Sequence, residues 1–187
     1  MRITGGRYGS RALKAPKGSL TRPTSDRVRE ALFSILGPRA AADAVLDLYA
    51  GTGALGLEAL SRGAGSVVFV ERSKEAVAAL NANVDALGVR AQVRVLALPI
   101  ERALRGLRGP EQEHFGLILA DPPYAEVESG AVARALETLV VPLMSEEALL
   151  VLEHASRDPA PAIANLVRHD ARKYGDTTLS FYAASRG

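Results

Sequence analysis

Two short stretches hold side chains whose types and spacing can do chemistry: DLYAGTGALG at residues 47–56 and ADPPY at residues 120–124. In the first, Gly51, Gly53 and Gly56 satisfy G-x-G-x-x-G, a spacing that turns a strand tightly into a helix and brings backbone close to a nucleotide-like ligand. Asp47 lies four residues before the first glycine, at the expected carboxyl end of a strand, and Glu71 lies 20 residues after it. An acidic side chain at that distance accepts hydrogen bonds from a ribose diol, which NAD and S-adenosylmethionine both carry. Asp47 separates the two ligands better. A carboxylate in the floor of the loop opposes a pyrophosphate and favours a ligand with an ammonium and a sulfonium. The alternative for Asp47 is a loop-capping carboxylate that bonds only backbone N–H groups. Tyr49 and Arg72, beside these acids, complete the candidate cofactor set.

In the second stretch the apolar run LILA ends at Asp121, and Pro122, Pro123 and Tyr124 follow. Successive prolines have no N–H to donate and fix φ, which can hold the Pro122 carbonyl toward a cleft beside the Asp121 carboxylate. Two acceptors side by side match the two hydrogens of an exocyclic amine. Tyr124 adds a flat face for the base, a contact worth about 1–3 kcal/mol. Adenine N6, cytosine N4 and guanine N2 all meet that description; a rigid Pro-Pro turn with a surface tyrosine is the chemically silent alternative. His114, His154 and His169 stand 40 and 15 residues apart, in no metal-ligand spacing, so packing or surface histidines and no metal are expected.

These residues form one site only if their strands end together. Short apolar runs at 45–50, 66–71, 93–97, 115–120 and 148–153 read as strands, and 54–62, 74–87, about 100–107 and 130–141 read as helices. A further helix over 24–36 carries Val28, Leu32, Ile35 and Leu36 on one face, and Gly37-Pro38 ends it. Near-continuous Val, Leu and Ile strands alternating with helices predict a parallel sheet covered on both faces. KYGDTTLSFY at 173–182 reads as the turn and second strand of a hairpin, with Gly175-Asp176 near the bend. The fold class is therefore α/β: a Rossmann-like sheet, mostly parallel, with a C-terminal antiparallel hairpin strand. In such a sheet the ligand crevice lies at the carboxyl ends of the strands, where Asp47, Glu71 and Asp121 converge.

The 187 residues, 48% of them apolar, suffice for one such domain with an appendage. The absence of cysteine excludes a disulfide framework and a thiolate metal site and fits a reducing compartment. MRITGGRYGS has no apolar leader, and no stretch approaches the roughly 20 apolar residues of a membrane span, so a soluble, cytoplasmic, monomeric protein is expected. The net charge of +2 conceals an asymmetry. Residues 1–30 carry eight basic against two acidic side chains, +6, and the remainder carries −4. A basic extension over 1–23, ahead of a domain over 24–187, predicts a polyanionic partner. Arg7, Tyr8, Arg11, Lys14, Lys17 and Arg22 are the candidate contacts to that polyanion, with Tyr8 able to stack on a base if it is a nucleic acid; a solvated tail is the alternative.

RITGGRYGSRAL at 2–13, RPTSDRVREALFSIL at 22–36, LDLYAGTGALGLEALSRGA at 46–64, VVFVE at 67–71, ADPPY at 120–124 and KYGDTTLSFY at 173–182 together resemble one family. The class is the amino-methylating S-adenosylmethionine-dependent methyltransferases with a (D/N)PP(Y/F) motif, and within it the chain is similar to the RsmD family. The resemblance implies methyl transfer to the N2 amine of a guanine in small-subunit (16S) ribosomal RNA, with the RNA or the small subunit as partner. It implies that Asp47, Gly51 and Gly53 line the methionine end of the cofactor, that Glu71 holds its ribose, and that Asp121 and Tyr124 receive the base. Thr24 and Asp26, in RPTSDR, fall in a segment similar to one that closes over the methionine portion. One departure stands out. Where the class commonly places an acidic or amide side chain for the adenine amine, this chain reads VLALPIERAL, with Leu98 and Pro99, so backbone groups and apolar packing are expected to hold adenine.

Two readings from other classes compete. An NAD-dependent oxidoreductase gives Asp121-Pro122-Pro123-Tyr124 no role, and a catalytically silent RNA-binding protein would have no need of Asp121 and Tyr124.

Overall fold

The computed structural model describes residues 1–15, 26–109 and 112–185. Its strands are β1 (Ala44–Leu48), β2 (Ser66–Val70), β3 (Val93–Leu96), β4 (Phe115–Ala120), β5 (Met144–Ala155), β6 (Leu166–Tyr174) and β7 (Thr177–Ala184). They form one sheet in the order β3-β2-β1-β4-β5-β7-β6. The first five run parallel, and β7 lies antiparallel between β5 and β6. Helices α1 (Asp26–Leu36), α2 (Ala54–Ser61), α3 (Lys74–Leu87), α4 (Ile100–Gly106), α5 (Tyr124–Glu128) and α6 (Ala131–Ala135) cover both faces.

The period-2 alternation of the strands divides the core in two. Val45, Phe69, Leu117, Leu119, Val151 and Phe181 pack with α1, α2 and α3; Leu46, Leu48, Val70, Ile118, Leu150 and Tyr182 pack with α4, α5 and α6. Asp47 falls on the first face, under α2. Local signals set the helix ends. Ser73 caps α3 by accepting from the Ala76 amide, and Gly88, at φ 69°, ends it.

The structure departs from the sequence reading in several places, among them α5, a short helix that was not expected, and β1, which ends two residues early. The basic N-terminal stretch, expected to lie outside the core, contributes Ile3 and Leu13 to it and folds back on itself through an Arg2–Ala12 bridge. The expected helix over 130–141 is α-helical only to Ala135, widens into a π-turn over Leu136–Val140, and tightens at Val141–Leu143 around Pro142. β5 begins four residues earlier than expected, where Met144 pairs with Phe115 of β4, and ends two residues later, where β7 supplies an antiparallel partner out to Ala155–Thr177. β6 is the first strand of the expected hairpin, and its extent back to Leu166 went unread because LVRHDARKY is polar on both faces, as an exposed edge strand tolerates.

Candidate active site

The geometry of the crevice starts from register. Leu48, the last residue of β1, pairs with Val70 on one side and Ala120 on the other, so Glu71 and Asp121 leave the sheet at the same level on either side of Tyr49. The Asp121 amide donates to the Leu48 carbonyl at 3.4 Å, and the Glu71 amide to Leu96 at 3.2 Å. Asp47 lies beneath them.

The glycines of the loop have different work. Tyr49, Gly51 and Gly53 all have positive φ, at 58°, 55° and 80°. A Cβ at Gly51 meets nothing closer than Tyr49 O at 4.0 Å, so the left-handed backbone alone asks for glycine there. At Gly53 a Cβ would strike Leu80 Cδ1 at 2.2 Å, and at Gly56 it would strike the Phe69 ring at 2.4 Å, so α2 packs closely on the sheet.

Both loop carboxyls bond to the loop itself. Asp47 Oδ2 accepts from the Gly56 amide at 2.8 Å. α2 has no capping side chain of its own, so Asp47 supplies from β1 the bond that an N-cap residue would make. The backbone-capping alternative thus describes one of its oxygens. Asp47 is 1% exposed, and burial, with the Asp121 and Glu71 charges nearby, pushes its carboxyl up to about 8. Glu71 accepts from the Gly51 amide at 2.8 Å and from the Ser73 amide at 2.7 Å. It therefore shapes the loop and the start of α3 together.

Tyr49 and Arg72 meet in a cluster that the sequence reading missed. Arg72 pairs with Glu126 of α5 at 3.1 Å, joining the ends of β2 and β4 across β1. Burial, followed by the charges of Glu126 and Glu101, raises the Tyr49 phenol above its ordinary range. Glu126 stands two residues beyond Tyr124, and that spacing was its only signal in the sequence.

On the other side, Pro122 is buried, and Pro123, at φ −55°, starts α5. Tyr124 is half-buried, with its phenol 3.0 Å from the Thr177 hydroxyl of β7. On the third-strand side Leu98 is half-buried against the α4 core, and its amide donates to Leu96 at 2.9 Å.

The N-terminal arm is fastened along α2. Glu58, fully buried, accepts from the Thr4 amide and hydroxyl, the Gly5 amide and Arg62 Nε at 2.7–2.8 Å, with Arg29 Nε at 3.5 Å. Arg29, also fully buried, donates to the Arg2 carbonyl and to Asp26. The Arg7 amide caps the last carbonyl of α2 at Ser61, whereas Asn83 brackets Lys14 and holds the Thr52 carbonyl of the glycine loop. The arm therefore runs the length of α2, about 12 Å at 1.5 Å per residue.

Arg7, Arg11 and Lys14 are exposed on this arm. Tyr8, expected to stack on a base, is half-buried against the core, with the Arg7 guanidinium 5.5 Å from its ring centre. Asp26, expected at the cofactor, engages Arg29 and Arg2 at the junction of arm and α1. Burial works to raise its carboxyl, but the Arg29 hydrogen bond and charge hold it below the ordinary range. Lys17, Arg22 and Thr24, with the boundary between residues 23 and 24, lie outside the described residues.

Known proteins resemble the chain over nearly its whole length. Residues 1–183 match the family model described as conserved hypothetical protein 95. The chain is 36% identical over 185 residues to "Putative rRNA methyltransferase YlbH" of Bacillus subtilis strain 168, covering 97% of this chain and 98% of that protein. To ribosomal RNA small subunit methyltransferase D of Escherichia coli K12 it is 32% identical over 183 residues, covering 97% and 89%. A solved structure of a hypothetical protein from Thermus thermophilus matches with a TM-score of 0.83 at 35% identity, covering 98% and 99%.

Proposed function

The chain belongs to the conserved hypothetical protein 95 family, the RsmD family, and from that premise we propose that it methylates the exocyclic N2 amine of a guanine in 16S ribosomal RNA. The donor is S-adenosylmethionine. The observation that carries this reading is the common level of the β1, β2 and β4 ends, which sets Asp121-Pro122-Pro123-Tyr124 beside Asp47, the glycine loop and Glu71.

The crevice suits that donor. Its strand ends present carboxyl groups, and Arg72 beside them is paired with Glu126, a set that favours a sulfonium and an ammonium over a pyrophosphate. Asp47, Gly51 and Gly53 would hold the methionine end. Glu71 would take the ribose on the lone pairs left beside its bonds to Gly51 and Ser73. When bound, S-adenosylmethionine would supply an electrophilic methyl group, its sulfur–methyl bond breaking as the nitrogen–methyl bond forms and S-adenosylhomocysteine leaving.

The residues of the chain then have a positioning task. The guanine N2 lone pair is delocalised into the ring, so the amine must be held with that pair facing its target, and orientation carries much of the catalysis. The Asp121 carboxylate and the Pro122 carbonyl accept the two amine hydrogens. The carboxylate also stabilises the positive charge that develops on nitrogen. The methylated ammonium loses its proton readily, so no tuned general base is required.

Arg7, Arg11 and Lys14 supply phosphate contacts along the arm, with Tyr8 holding the Arg7 guanidinium in place. Lys17 and Arg22 extend the same basic run in sequence, and the protein acts as a cytoplasmic monomer. The test is to incubate the protein with labelled S-adenosylmethionine and 16S RNA or small subunits from cells lacking the enzyme. Label in N2-methylguanosine at one position is the expected result. Label in methylated adenine or cytosine would replace the base assignment, and no label in RNA would overturn the reading.

A further inference from the structure

The C-terminal motif KYGDT has no part in the mechanism above, yet the structure brings it to the base side of the crevice. β5 continues three residues past the Leu152–Ala120 pair that ends β4 in the ladder. β7 follows it there, with Thr177 opposite Ala155. The turn between β6 and β7, with Gly175 at φ 63°, is tied to the end of β5 by the Ser156 amide on the Asp176 carbonyl at 2.8 Å and the Ser156–Thr178 hydroxyl pair at 2.9 Å. Thr177 is 8% exposed, and its hydroxyl lies 3.0 Å from the Tyr124 phenol, 53 residues away in sequence.

A tyrosine ring has two soft torsions. At Tyr124 the Pro123 turn fixes the backbone end and Thr177 holds the phenol end, so the direction of the ring's long axis is set by the sheet before any base arrives. We propose that Thr177 is a positioning residue for methyl transfer: its hydroxyl holds the phenol end of Tyr124, and so keeps the ring at the place in the crevice where the target base stacks. This rests on the reading of Tyr124 as the base platform. The KYGDT turn acts by delivering that hydroxyl.

Three variants test it in the full-length enzyme: Thr177→Val, Tyr124→Phe and the pair together. Each keeps shape and removes one or both hydroxyls. A single neutral hydrogen bond corresponds to about a 2- to 13-fold change. Each variant is expected to lower kcat for RNA methylation by that factor with cofactor affinity unchanged. The double variant should be no worse than either single one, as a shared bond requires. Thr177→Ser should restore turnover. Tyr124→Phe at parental kcat, or additive losses in the double variant, would overturn the proposal. If Thr177→Val folds poorly, Tyr124→Phe against Thr177→Ser still decides, because neither alters the sheet. Tyr124→Ala separates the underlying reading: parental transfer in that variant would remove Tyr124 from the base site altogether, whereas a large loss there with a silent Tyr124→Phe would fault Thr177 alone.

Discussion

The two halves of the crevice are held in different ways. On the cofactor side, Asp47 and Glu71 bond to backbone amides of the loop they border, at Gly56, Gly51 and Ser73. Those bonds span 9, 20 and 2 residues of sequence. On the base side, two prolines remove the backbone donors, and the aromatic ring is fixed by a hydroxyl on a distant strand. If the carboxyls that build the loop also meet the cofactor, as proposed above, folding is coupled to binding there. A proline turn backed by a sheet separates them. Substitutions on the cofactor side should therefore change affinity and stability together, and those on the base side should change turnover alone.

The largest expected effect lies on the base side. Asp121→Ala should lower the transfer rate at least about 100-fold, the scale for losing one group that stabilises transition-state charge, with cofactor affinity within a few-fold. Single-turnover methylation and calorimetry read the two quantities. Asn should keep part of the rate because one acceptor remains. Near-parental turnover in the Ala variant would remove Asp121 from the chemistry.

Glu71→Ala is the matching test on the other side. A hydrogen bond to a charged acceptor is worth about 1.5–3 kcal/mol, which is about 10- to 150-fold in cofactor affinity. Because Glu71 also holds the Gly51 and Ser73 amides, Tm should fall as well. Lost affinity with an unchanged Tm would show that the loop stands without it and would remove the contrast between the halves.

How much of this was legible in sequence follows from the range of each signal. β4, the glycine loop and α3, observed over the expected 115–120 and 74–87, were readable because each depends on neighbours within a few residues. The convergence of Asp47, Glu71 and Asp121 was readable because strand ends in a parallel sheet are level. The second function of the loop carboxyls as backbone acceptors was only half visible, since it depends on which face of β1 Asp47 occupies. Thr177, Asn83 and Glu58 carried no local signal. Their partners lie 53, 69 and 54 residues away, and a polar residue inside an apolar helix or strand does not declare what it will bond. The arm was misjudged for a related reason. Ile3 and Leu13 are too few to make an apolar period, yet buried charge at Glu58 and Arg29, with Arg62 paired to Glu58, fixes the segment that carries them.

That arm gives a third, smaller test. Arg7, Arg11 and Lys14 are exposed, whereas the groups that dock the arm are backbone amides and carbonyls. Changing the three to Ser should leave the arm in place and remove up to three phosphate contacts. The slope of log RNA affinity against log salt should then flatten by about 2 to 3. Between 50 and 200 mM salt the parent should lose about 20- to 40-fold more affinity than the variant, by the same coefficients. Cofactor binding should be unchanged, and an identical salt slope in both proteins would make the arm a structural clasp only.

The smallest expected effect is a pH dependence, and it isolates the cofactor side. The Asp47 carboxyl is pushed up to about 8 by burial, so near pH 7 the ligand-free protein keeps a proton there. In the unfolded chain it ionises near 3.8. Between those values the folded state binds more protons than the unfolded, so this residue's contribution to stability falls as pH rises through that window. Cofactor binding should have the opposite sign. A cationic ligand favours the ionised carboxylate and expels the proton, so affinity should rise with pH, by at most about tenfold per unit, and level off above about 8. Asp47→Asn keeps an oxygen for the Gly56 amide and has no proton to lose. Calorimetry at pH 6, 7 and 8, in two buffers of different ionisation enthalpy, counts the protons released on binding. The parent should release more than the Asn variant, and the ligand's own amine contributes equally to both. Equal proton release would mean that Asp47 stays protonated under the bound cofactor, and that its role is to cap α2 rather than to meet the charge.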